Sequence, residues 1–176
     1  MYTILIKRCY NDIIMKIYIG TDHAGYVLKE KLVLSLKGQG YEVIDKGAFE
    51  YNEGDDYPDF VVPVAQEVSK DGENVKGIIL GATGEGEAIT ANRFPNVRAV
   101  VYYGQSECVV DFEADVIVRS RRHNNANVLS LGARYLTEDT MMKAVTLWLE
   151  TPFSGDERHI CRLAKIDKIE IKKIHG

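Results

Sequence analysis

Short, almost wholly apolar runs alternate along this chain with longer stretches of helical periodicity, and that alternation narrows the possible folds most. From Met15 onward, the runs at 16–20, 41–45, 77–81, 97–102 and 128–131 have β character. Segments 25–38, 60–71, 87–93, 106–122, 137–150 and 155–167 have helical patterns. Ile78-Ile79-Leu80 and Val97-Arg98-Ala99-Val100-Val101 are nearly continuous in apolar residues, as strands covered on both faces must be. Leu28, Leu32 and Leu36, with Val33, share one face of the first helix. The prediction is an α/β fold: a doubly wound, parallel five-stranded sheet with helices on both faces. Ligands of such sheets sit beyond the carboxyl ends of the strands.

No internal repeat or linker divides the 176 residues, so 15–176 are expected to form a single domain. Residues 1–14 read as an N-terminal extension that can add an edge strand. A net charge of −4 argues against a nucleic-acid surface. No apolar stretch reaches the length of a membrane span, and the N-terminus lacks an apolar signal core. Cys9, Cys108 and Cys161 are odd in number and form no metal-type pair, which points to a reduced, cytoplasmic setting.

Three segments carry candidate chemistry. After the first strand, Asp22 and His23 stand side by side, suited to proton transfer and anion binding. Asp22 is equally suited to capping the helix that follows. After the third strand comes Gly81-Ala82-Thr83-Gly84-Glu85-Gly86-Glu87. This loop lacks both dinucleotide spacing and the Lys-Ser/Thr ending of a nucleotide P-loop. Thr83 and the N–H groups near Gly84 and Gly86 can hold an oxyanion. Glu87 falls in the first helical turn, where the macrodipole favours its ionised form and a carboxylate can act as base. The alternative is a tight turn with two solvated glutamates.

Before the fifth strand, His123 and Asn124 lie in a strongly polar run that also suits a solvated helix end. Arg158 and Arg162 share one face of the last helix and, with Arg134, can bind a phosphate dianion. Alone, that pair reads more simply as a solvated basic stripe. Tyr57 ends an acid-rich loop (Glu53, Asp55, Asp56) that either closes over a ligand or turns the chain. Taken together, these groups suit a phosphorylated sugar.

Asp22-His23-Ala24-Gly25, the glycine loop running into Ala91-Asn92-Arg93, and His123-Asn124-Asn125-Ala126-Asn127-Val128-Leu129-Ser130-Leu131-Gly132-Ala133-Arg134 resemble the ribose-5-phosphate isomerase B family, which includes the galactose-6-phosphate isomerase subunits. The resemblance runs in matching order from about Met15 to Ile166. It implies a Rossmann-like sheet, a homodimer or homotetramer with sites at the dimer interface, and isomerisation of ribose 5-phosphate to ribulose 5-phosphate without metal or cofactor. By position, Asp22 and His123 would open the furanose ring. A base would move a proton between C2 and C1 through a cis-enediolate, held by the loop N–H groups and Asn124. His23, Arg134, Arg158 and Arg162 would bind the phosphate, some of them from the neighbouring subunit.

Two departures stand out. Many members carry a cysteine base where this chain has Gly81, and none of its three cysteines matches that position. A second branch uses a glutamate six residues further along, matched by Glu87, and Thr83 matches the loop hydroxyl. Segment 104–122 is longer than the family norm. A hexose 6-phosphate isomerase (allose or galactose 6-phosphate) and a non-catalytic sugar-phosphate-binding module remain as alternatives, with a nucleotide-binding protein weakest.

Overall fold

Five parallel strands pair in the order β2-β1-β3-β5-β4. They are β1 (Lys16–Thr21), β2 (Glu42–Asp45), β3 (Val75–Gly81), β4 (Ala99–Tyr102) and β5 (Val128–Gly132). The helices are α1 (Tyr26–Gly38), α2 (Pro58–Lys70), α3 (Glu85–Ala91), α4 (Val116–Arg122), α5 (Glu138–Glu150) and α6 (Glu157–Asp167). This computed structural model describes residues 15–104 and 115–169. The extension expected over 1–14 and the early part of the helix expected over 106–122 lie outside the described residues. Within them, α4 starts at Val116, where Asp115 Oδ1 accepts the Ile117 N–H at 2.7 Å.

The continuous apolar runs are explained by two cores, one on each face of the sheet. Ile17, Ile19, Ile78, Leu80, Leu129 and Leu131 pack against α1, α4 and α5, whose Leu32, Ile117 and Trp148 are fully buried or nearly so. Ile79 and Val128 point the other way, against Val61, Val64 and Val68 of α2 and Ala91 of α3. Alternate strand residues thus meet helices on opposite sides, and both sets must be apolar. Pro63 lies inside α2, where a proline costs about 3 kcal/mol. The helix persists because its three buried valines contribute about 1.5–3 kcal/mol each.

From β1 the chain steps outward to β2, then crosses back to place β3 on the other side of β1. That reversal opens a crevice at the carboxyl ends of β1 and β3. Asp22 directly follows β1, and the glycine loop directly follows β3. Helix α6 is different in kind: only His159 is buried, while Ile160 and Ile166 are exposed.

Candidate active site

The glycine loop is held from its neighbour strand. Gly84 takes φ +79 at the start of α3, a left-handed conformation that favours glycine. Its carbonyl accepts from Ser130 Oγ of β5 at 2.6 Å. The Ala133 N–H donates to the Gly81 carbonyl at 2.8 Å and the Arg134 N–H to that of Ala82 at 3.2 Å, so Arg134 is fixed beside the loop. Thr83 is exposed and its Oγ1 accepts the Glu85 N–H at 3.2 Å, leaving the hydroxyl itself as a donor. Tyr57 packs over Gly86: a β-carbon there would stand 2.9 Å from its Oη.

Glu87 turns back over the end of β3. Its carboxylate lies so close to Gly81 that any β-carbon at 81 would overlap it. The side chain is almost wholly buried, and that burial pushes its pKa above the ordinary carboxylate value. A hydrogen bond to its own backbone opposes the rise, and the Asp22 charge adds to it. The expectation that the macrodipole would favour the ionised form is therefore corrected. Desolvation outweighs the field of a seven-residue helix.

Asp22 fills both roles open to it. Its Oδ1 accepts the Ala24 N–H at 3.0 Å, capping a 3-10 turn over His23–Gly25, yet it is buried and close enough to Glu87 to interact electrostatically. Burial is the main cause raising its pKa, opposed by the Ala24 bond and the His23 charge. His23 meets Asp55 of the acid-rich loop. Its Nδ1 is 2.6 Å from Asp55 Oδ1, and its backbone N–H donates to that same oxygen at 3.0 Å. The Asp55 bond is the largest influence raising the His23 pKa, while burial and, more weakly, Arg134 oppose it. The acid-rich loop was visible, but which acid meets His23 depends on the 32-residue chain excursion between them. Asp22, His23 and Asp55 bring ligand-type atoms within 4.8 Å of one another, and His23 Nδ1 and Asp55 Oδ1 are engaged with each other.

The other predicted residues gather elsewhere. His123 ends α4, its N–H donating to the Arg119 carbonyl at 2.9 Å, and its ring stacks on His159 at 4.3 Å and 12°. Asn124 is exposed. Arg158 and Arg162, exposed on α6, act electrostatically on His159. Burial first, then the charges of His123 and these arginines, lowers the His159 pKa. His123 and Asn124 precede β5, whereas Glu87 lies at the carboxyl end of its neighbour β3. A five-residue strand separates the two ends by roughly 16 Å. One chain thus does not bring His123, Asn124, Arg158 and Arg162 to Glu87. Of the three arginines expected to bind the phosphate, some from the neighbouring subunit, Arg134 alone stands beside the glycine loop in this chain.

Cys161 is exposed on α6; Cys9 and Cys108 lie outside the described residues. Among the described residues no helix is long and apolar enough to cross a membrane.

Known proteins share this fold. Ribose-5-phosphate isomerase B of Mycobacterium tuberculosis is 36% identical over 149 residues, covering 85% of this chain and 86% of its own. The Escherichia coli enzyme of the same name is 38% identical over 158 residues, covering 90% and 98%. The crystal structure of ribose-5-phosphate isomerase B from Mycoplasma genitalium with bound ribulose 5-phosphate superposes with a TM-score of 0.78 at 34% identity, covering 86% of this chain and 93% of that one. The Ribose/Galactose Isomerase family model matches residues 17–166. With relatives this similar along nearly their whole length, and the same fold, the chain belongs to the ribose/galactose isomerase family.

Proposed function

We propose that this chain is an aldose–ketose isomerase interconverting ribose 5-phosphate and ribulose 5-phosphate, with Glu87 as general base. The observation that carries the reading is the Glu87 carboxylate itself. It is buried, raised in pKa and set over Gly81 at the mouth of the crevice, beside Asp22. A base tuned upward toward neutrality is suited to taking a proton next to a carbonyl. Glu87 removes the C2 proton of open-chain ribose 5-phosphate, leaving a cis-enediolate charged on O1; the O2 hydroxyl proton passes to O1, and Glu87 returns its proton to C1 to give ribulose 5-phosphate. Thr83, the N–H groups near Gly84 and Gly86, and Asn124 stabilise the oxyanion. Asp22 and His123 serve ring opening. His23, Arg134, Arg158 and Arg162 bind the phosphate, and Tyr57 borders the pocket.

The two separated groups of residues support a homodimer in which each site is built from both subunits. Glu87, Asp22 and His23 come from one chain, and His123, Asn124, Arg158 and Arg162 from its partner. The exposed Ile160 and Ile166 of α6 give the second copy an apolar surface to cover. In this reading residues 15–176 are the catalytic domain and the enzyme works in the cytoplasm.

Incubation with ribose 5-phosphate in D2O tests the chemistry: deuterium is expected at C2 of the aldose or C1 of the ketose. Saturable binding without any exchange would instead establish a non-catalytic module. Turnover compared on allose 6-phosphate and galactose 6-phosphate decides between pentose and hexose substrates.

A further inference from the structure

The Asp55–His23 pair is more than a loop contact. One carboxylate oxygen takes both the ring nitrogen and the backbone N–H of His23, fixing the imidazole and the chain that carries it. The 2.6 Å separation is that of a charge-assisted bond. The Asp55 side chain is only 9% exposed, and its Oδ2 accepts no hydrogen bond among the described residues. A buried carboxylate with one bare oxygen is costly unless a cation compensates it, and His23 is the cation in contact.

We infer that Asp55 is a positioning residue that keeps His23 an imidazolium with Nε2 left for the substrate phosphate, so that the site holds the phosphate dianion above neutral pH. The inference rests on the proposed reading only in placing the phosphate at His23. A phosphate monoester becomes dianionic above about pH 6, while an ordinary histidine loses its charge near 6.5. The window in which both carry the favourable charge is therefore narrow. A partner that holds the imidazole proton extends it upward. The other groups facing His23 are Asp22, which also favours the imidazolium, Arg134, which opposes it, and the Tyr51 ring, edge-on at 6.3 Å. Burial of the ring opposes the charge most and Arg134 less, but Asp55 in direct contact, helped by Asp22, outweighs them.

The test is Asp55→Asn, which keeps an acceptor for the His23 N–H but removes the charge. NMR titration of His23 in the ligand-free protein reads the pair without any turnover. The wild-type midpoint is expected above 6.5, and the variant midpoint about one unit or more lower. In kinetics, KM for ribose 5-phosphate should rise about tenfold at pH 8 and little at pH 6, with kcat nearly unchanged and Asp55→Glu restoring part of the loss. A wild-type midpoint at or below 6.5, an unchanged midpoint in Asp55→Asn, or a KM that rises equally at both pH values overturns the inference. Should the protein show no isomerase turnover, the proposed function fails on its own. The titration, with inorganic phosphate binding at pH 6 and 8, still decides the role of Asp55.

Discussion

The Glu87 carboxylate occupies the volume in which a side chain at position 81 would begin. A base on residue 81 and a carboxylate base from residue 87 are thus sterically exclusive in this loop. The atoms in conflict are the far end of a flexible side chain, so the fold can yield by swinging Glu87 away. Gly81→Ala is therefore expected to fold, with an overpacking cost of about 1–3 kcal/mol. Its kcat should fall on the order of 10²-fold, because the base is displaced. Melting curves and steady-state kinetics on the purified variant check both; an unimpaired kcat would mean that Gly81 does not position the base.

Glu87→Gln separates chemistry from stability. Its kcat is expected to drop about 10²–10⁴-fold. Stability should move the other way. Glu87 is raised above its ordinary 4.5 in the folded state, so its carboxyl stabilises the fold below pH 4.5 and does so progressively less as pH rises through the folded value. The uncharged amide avoids that loss. The variant should therefore melt higher than wild type at pH 7–8, and the difference should shrink toward pH 4. Equal melting temperatures at every pH would show that Glu87 titrates as it does in the unfolded chain.

The sheet was legible because both of its faces are covered, which makes the strand runs continuously apolar; Ile78, Ile79 and Leu80 show this alone. Strand order was not, since parallel pairing of β3 with β5 rather than β4 leaves no local signature. The state of Glu87 depends on burial by residues distant in sequence, and dipole reasoning alone gives the wrong sign. The position of His123 did have a signal. The rule that placed Asp22 and Glu87 in the crevice, because they follow strands, places a residue preceding β5 at the opposite end. Asp55 had none, as three neighbouring acids were equally available to His23.

Thiol chemistry gives a simpler check. β3 ends in Gly81, and Cys161, the free cysteine among the described residues, lies on α6. Cys161→Ser should keep kcat within about twofold of wild type, because the base is Glu87; the test is decisive because a serine could not replace a thiolate base. A loss of several orders of magnitude would move the base away from Glu87.

The separation of Glu87 from His123 makes the strongest prediction, because it concerns which chain supplies which group. In a two-fold dimer whose sites are shared, Glu87→Gln and His123→Ala homodimers each have two defective sites. In a mixed dimer, one site receives both lesions and the other receives neither. Random re-pairing makes about half the dimers mixed, each with one intact site in two, so about a quarter of wild-type activity should return on mixing. Exchange is induced by mild denaturant and dilution, and activity is followed against unmixed controls. If each site were instead built within one chain, every site in the mixture would carry one lesion and nothing would return. Arg158→Ala or Arg162→Ala in place of His123→Ala should complement Glu87→Gln in the same way, whereas Asp22→Asn should not, because Asp22 and Glu87 belong to the same crevice.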